Sequence, residues 1–268
     1  MHPRLLACAA LSVGLSAAPP SAWAQATKDQ ARLVFTVSAG AVIGRNLWSI
    51  GAQPVQFVTP ADTVSLQRQI RSNIAIGFGG AYFPGENLGI AVEGMLLGIG
   101  FEDDCEMVFS SGSPDVIAAC TSIKGASKSA SAVALSAGPI FRVNSRSLFT
   151  PYARANLGLV FSNQSSIRTV GRFPVPEPPG FSELVIYDDD HESRVAPVLG
   201  LGLGFTAAVA KGYQLRWEVR DNIAGVQRVT AATAQARTIP PHKMTYKHLF
   251  SLMIGFDVVL ERRPGRRY

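Results

Sequence analysis

Apolar side chains recur at every second residue in one stretch after another, and this fixes the class of fold. In the run from Tyr213 to Arg220, Tyr213, Leu215, Trp217 and Val219 share one face. Gln214, Arg216, Glu218 and Arg220 share the other. A helix, with a period of about 3.6, would mix the two sets. The same alternation runs through 33–44, 74–82, 88–101, 127–143, 152–161, 195–209 and 249–260, which with 213–220 predicts eight strands. In water the apolar face of such strands is the core. In a membrane barrel it faces lipid, and the charged face fills the lumen. The alternation alone does not choose between them.

The connections do choose. Residues 84–87, 144–147 and 211–212 are tight turns, rich in Pro, Gly, Asn and Ser. The segments 45–71, 102–125, 162–192 and 225–245 are long, and they are read as loops, 45–71 as a loop with extended strand ends. Long and short connections therefore alternate strictly, so strands joined by tight turns are antiparallel neighbours. Tight turns gathered at one end and long loops at the other are the layout of an outer-membrane barrel. Soluble sandwiches have Greek-key crossings and no reason to sort turns by length. Composition agrees. Only 16% of residues are charged, against about 25% on average, and 25 are glycine. No apolar run after the N-terminus reaches the roughly 18 residues of a membrane helix. The net charge of +6 is scattered except for Arg262, Arg263, Arg266 and Arg267. A nucleic-acid surface, which needs clustered basic residues with interleaved aromatics, is not expected.

The ends and the cysteines place the chain outside the cytoplasm. Met1–Arg4 is a basic n-region, 5–18 is apolar, and Ala22-Trp23-Ala24 is an A-x-A site, so residues 1–24 are expected to be a cleaved signal peptide. Residues 25–268 then form one domain with a short basic C-terminal tail. Cys8 lies too early, inside the apolar region, to be a lipoprotein anchor. Cys105 and Cys120 remain, and in an exported chain one disulfide is the default reading, with two free thiols as the alternative.

The inward faces are rich in Gly, Ala and Ser, and also carry Glu93, Arg142, Arg154, Arg216, Glu218, Arg220 and Asp257. An eight-stranded barrel has an interior that side chains just fill. These charges must then pair, and an Arg–carboxylate network is expected. Tyr82, Phe83, Trp217 and Phe250 suit aromatic girdles at the membrane interfaces. The segments Ala137-Gly138-Pro139-Ile140-Phe141-Arg142, Pro151 to Gly158, Gly200 to Phe205 and Leu215 to Arg220 resemble the small outer-membrane β-barrel proteins of the OmpA/OmpX/OmpW type. The resemblance covers about residues 31–260. It implies an all-β, eight-stranded, antiparallel, up-and-down transmembrane β-barrel in the bacterial outer membrane. It also implies outer-membrane lipid, lipopolysaccharide and the barrel-assembly machinery as partners, and a monomer as the state. Such barrels end in an aromatic residue. Here residues 261–268 follow the last strand, so Tyr268 or Phe256 takes that place.

Candidate chemistry is sparse. Asp188, Asp189, Asp190 and His191 stand at the expected outer rim, where carboxylates beside a histidine serve as a general base or bind a cation through oxygens. The plainer reading is a solvated acidic loop. His242 and His248 are read as rim surface residues. No G-x-S-x-G, H-E-x-x-H or C-x-x-C occurs, and no cofactor or metal is expected. The function this supports is non-enzymatic: structural or surface interaction through long extracellular loops. The alternatives are a narrow channel for small or hydrophobic solutes, a rim-located enzyme, and a soluble periplasmic lipocalin-like binder.

Overall fold

The computed structural model describes residues 32–56, 61–128, 130–143, 147–176, 179–189, 194–235 and 237–261. The expected signal peptide, 1–24, and the basic tail, 262–268, lie outside them. In chain order the elements are β1 (Arg32–Val42), β2 (Arg45–Val55), β3 (Asp62–Arg71), β4 (Asn73–Phe83), β5 (Leu88–Gly98), β6 (Gly100–Phe109), α1 (Pro114–Ile123), β7 (Ala126–Lys128), β8 (Ser131–Arg142), β9 (Phe149–Ser162), β10 (Thr169–Val175), β11 (Gly180–Tyr187), β12 (Arg194–Ala210), β13 (Tyr213–Val229) and β14 (His242–Glu261).

Eight strands close an antiparallel barrel in the order β1-β14-β13-β12-β9-β8-β5-β4, with β4 paired back onto β1. With the strands that leave the wall set aside, neighbours in sequence are neighbours in space, and the topology is up-and-down. The tight connections β4–β5, β8–β9 and β12–β13 share one end with the outset of β1 and the finish of β14. The four long excursions leave from the other end. Closure matters energetically, because each wall strand is paired on both sides and no edge is exposed.

The faces run apolar outside and polar inside. On β9, Leu157 is 70% exposed, and on β12 Leu203 is 68% exposed. Asp257, inward on β14, is fully buried, and Arg216, Glu218 and Arg220 of β13 are buried beside it. Phe205 and Trp217 stack outside at 4.9 Å, and Tyr213 and Phe256 at 5.6 Å near the turn end. Phe83, expected in an outer girdle, is instead completely buried. It occupies an inward position at the end of β4, beneath the Arg142 guanidinium.

The long excursions are not loops. Within 45–71, β2 and β3 pair as a hairpin, and strand pairing continues through β6 to β7 as a four-stranded sheet. The strand expected over 88–101 divides near Ile99, where β5 leaves the wall and β6 begins. The strand expected over 127–143 likewise divides into β7 and β8. Residues 162–192 hold the hairpin β10–β11. The two ends of 225–245, residues 225–229 and 242–245, extend β13 and β14, which stay paired up to Val229 and His242.

The helix α1 has a local cause. Pro114 starts it, where a missing N–H costs nothing, and Asp115 lies in its first turn. Val116, Ala119, Cys120 and Ile123 are its buried stripe, at the i, i+3, i+4, i+7 spacing of one helical face. Its partner β10 approaches closely because residue 171 is glycine. A Cβ there would sit 2.8 Å from the Ala119 Cβ and carbonyl oxygen.

These elements form a cap with a core of its own. Trp48, Leu66, Ile70, Phe101, Val116, Ile123 and Ile186 join one apolar cluster with Met95, Leu97, Val160, Val198, Leu249 and Met253 of the barrel. Each such side chain contributes about 1.5–3 kcal/mol on burial. Polar contacts lock the pieces together. Gln53, fully buried, accepts from the Tyr187 hydroxyl at 2.8 Å and from the Thr233 amide at 2.8 Å. Burial pushes the Tyr187 phenol well above its ordinary value. Arg68 and Asp103 form a buried pair, with Nη2 to Oδ2 at 2.7 Å, and the Arg68 guanidinium lies against Trp48 and Phe101.

Candidate functional site

Two places gather polar chemistry: the lumen and a cleft in the cap. In the lumen, β13 sends Arg216, Glu218 and Arg220 inward, because alternate residues of a strand share a face. Arg216 makes a forked pair with Asp257 of β14, Nε to Oδ1 at 3.0 Å and Nη2 to Oδ2 at 2.8 Å. Thr36 of β1 donates to the same carboxylate at 2.8 Å. Glu218 accepts from Arg154 Nε and Arg220 Nε, each at 2.8 Å, and from the Tyr152 hydroxyl at 2.7 Å. Glu93 of β5 then accepts from Arg220 Nη1 at 2.8 Å and Arg154 Nη2 at 3.1 Å.

Three arginines and three carboxylates thus balance across the barrel: Glu93, Arg154, Arg220 and Glu218 are hydrogen-bonded together, and the Arg216–Asp257 pair meets them through an Arg216 Nη1 to Glu218 Oε2 ion pair at 3.9 Å. Space for it comes from β12. A Cβ on Gly202 would fall 2.5 Å from Glu218 Oε1, and one on Gly204 would fall 2.2 Å from the Trp217 carbonyl. Each charge is stabilised by its partners, and the arrangement fills the barrel.

Arg142 departs from the expected network. No carboxylate pairs with it among the described residues. Its guanidinium lies 3.8 Å from the centre of the Phe83 ring, and Nε and Nη2 are buried without a hydrogen-bond partner. The reason is height. Arg142 pairs in register with Tyr152, at the turn end of β8, whereas Glu93 faces Ser136 farther along the same strand.

The cap holds a cleft of about 740 Å³ between the α1–β7 segment and the β10–β11 hairpin. Hydroxyls of Ser122, Ser127 and Ser165, amides of Asn163 and Gln164, and charges of both signs line it. Arg172 pairs with Glu183 at 3.3 Å, and Arg168 with Asp188 at 3.9 Å, all half-exposed or more. Asp188 and Asp189 from the acidic run line this cleft, and Asp189 is hydrogen-bonded to the Ser165 hydroxyl. Asp190 and His191 lie outside the described residues. Among the described residues no group of His, Cys, Asp or Glu could hold a metal. Cys105 of β6 and Cys120 of α1 are joined by a disulfide that braces one wall of the cap. Arg168 and Arg172 were not distinguishable in the sequence from the rest of a polar stretch. Their common side of the cleft follows only from the β10 strand, whose sole local signal is the short alternation of Val170, Arg172 and Pro174 with Gly171 and Phe173.

No family model matches the chain, and neither does any curated relative. Solved structures of small outer-membrane barrels resemble it. The outer membrane protein OprG from Pseudomonas aeruginosa is 10% identical, covers 87% of this chain and 98% of its own, and has a TM-score of 0.47. Neisserial surface protein A is 14% identical, with coverage of 85% and 97% and a TM-score of 0.41. The E. coli outer membrane protein W is 9% identical, with coverage of 84% and 96% and a TM-score of 0.36. These likenesses concern fold alone.

Proposed function

We propose that the chain is a monomeric barrel of the bacterial outer membrane, with its tight turns in the periplasm and its cap outside the cell. We further propose that it acts without catalysis, as a surface-recognition protein whose cap cleft takes a hydroxyl-rich ligand, a glycan by preference. The observation that carries the membrane reading is the inversion of faces. A continuous belt of exposed Leu, Ile, Val and Phe surrounds a buried ionic chain, and such a belt is far larger than the apolar patches soluble proteins leave in water. The same inversion runs against a lipocalin-like binder, which turns its apolar face inward around a ligand. The glycan reading rests on the cleft's mixture of hydroxyls, amides and paired charges, a donor and acceptor set matched to sugars rather than to an apolar molecule or a single ion.

The test is glycan binding by the detergent-solubilised protein, with Arg168→Ala/Arg172→Ala as the variant. Binding should fall at least tenfold in the variant while its heat-shifted gel mobility is unchanged. Equal binding, or none by a folded wild-type protein, removes the cleft reading. One observation favours a second role, passage of a small hydrophobic solute. A cavity of about 160 Å³ lies where cap meets barrel, lined by Ile99, Phe101, Val160, Ala196, Ala224 and Met244 among others. Below it the lumen is closed by the Glu93–Arg220–Glu218 chain, so that role would require an exit sideways rather than along the axis.

A further inference from the structure

The outside of the barrel carries a concave apolar groove of about 600 Å³. It crosses five adjacent strands, through Phe141 on β8, Ala153 and Ala155 on β9, Leu203 on β12, Val219 on β13 and Phe250 on β14. The dip has a plain cause. β9 presents two alanines outward where its neighbours present Phe141 and Leu203, which pair with Ala153 from either side. Four strand spacings make it about 19 Å long, the scale of one fatty acyl chain.

Its end on β13 and β14 is polar. Asp221 lines the groove there and is the first charged outward residue on β13 after Tyr213, Leu215, Trp217 and Val219. His248 Nδ1 lies 2.7 Å from Asp221 Oδ2, and the imidazole is 49% exposed. The second oxygen of that carboxylate, Oδ1, is buried with no hydrogen-bond partner. The ring of Phe250 links this pair to a cation. His248 stacks against it at 6.2 Å, and the Arg45 guanidinium lies 5.4 Å from its centre. An apolar track therefore ends beside a fixed positive charge and a carboxylate oxygen that lacks a donor, at the cap end of the wall.

We propose that this face is a lipid site for an acylated, phosphorylated glucosamine, the lipid A portion of lipopolysaccharide. One acyl chain lies in the groove, the phosphate meets Arg45, and the sugar lies against the half-exposed His248 imidazole. Charge complementarity and leaflet select this occupant. On the membrane reading above, on which the proposal rests, the cap end faces the outer leaflet, where lipopolysaccharide is the resident lipid.

Native mass spectrometry of the full-length protein, offered lipid A, phosphatidylglycerol and phosphatidylethanolamine in equal amounts, tests it. The protein should retain one lipid A, and Ala153→Leu/Ala155→Leu, which fills the groove, should reduce that adduct at least tenfold. Arg45→Glu should do the same. Both variants should keep the wild-type gel shift on heating. Equal retention of the phospholipids overturns the choice of occupant, and equal retention by the variants overturns the groove. A folded protein that retains no lipid overturns the site altogether. A protein that stays soluble without detergent and does not enter liposomes overturns the membrane reading instead, so the two failures are distinguishable.

Discussion

Glu218 is the residue on which the lumen turns. It receives three hydrogen bonds, from Arg154, Arg220 and Tyr152, and is 2% exposed. Replacing it with leucine leaves cations buried without their counter-charge, and such a loss typically costs about 3–5 kcal/mol. Glu218→Leu should therefore lower unfolding stability in detergent by that amount, and Arg216→Leu should do likewise by orphaning Asp257. Leu215→Ala, on the outer face, should cost clearly less. Equal, small effects in urea titrations of the three variants would mean that the network carries no such weight. Period-two reading was enough to sort these residues onto the inward face. It could not say which would meet, because alternation fixes a side chain's face but not its height in the barrel. Height follows from the stagger between strands, which no single strand records. Arg142 and Phe83 show the gap: both are inward, yet they stack on each other at the turn end instead of joining the ionic chain.

At the scale of elements, the wall was legible and the cap was not. The wall strands announce themselves by long, uninterrupted alternation between an apolar and a small or charged face. The cap elements are short, and Gly51, Pro54 and Pro60 within 45–71 read in the sequence as loop punctuation. Signals were present all the same. Val64, Leu66, Arg68 and Ile70 are all buried and alternate with Ser65, Gln67 and Gln69 along β3, a pattern as regular as any in the wall. Ser113-Pro114-Asp115 is a helix start in front of α1. What no pattern could show is that β3 pairs with β6, across the barrel strands β4 and β5 that separate them in sequence. The Cys105–Cys120 bridge ties β6 to α1 across a separation of 15 residues, for which the chain-entropy model gives about 3 kcal/mol. A Cys105→Ser/Cys120→Ser variant should lose protease resistance in 100–128 while its barrel keeps the gel shift. Cleavage spreading into the wall strands would show that cap and barrel do not come apart in this way.

At the scale of the whole molecule, the barrel is closed twice by different means. Near its middle the ionic chain spans the lumen, and above it the apolar core of the cap continues into the wall residues Met95, Leu97 and Leu249. An ion entering from either side meets either fixed, satisfied charges or a dry surface, so no continuous aqueous path is expected. Planar bilayers containing the purified protein should show no stable conductance steps, and regular steps would require the ionic chain to open. The position of the disulfide also bears on the order of events during biogenesis. Both cysteines belong to the single excursion between β5 and β8, so their union requires no strand from elsewhere. A bridge joining two excursions would have to wait until the wall had brought them together. This one can close while the chain is still in transit, so the first covalent commitment of the cap does not depend on the last step in closing the barrel.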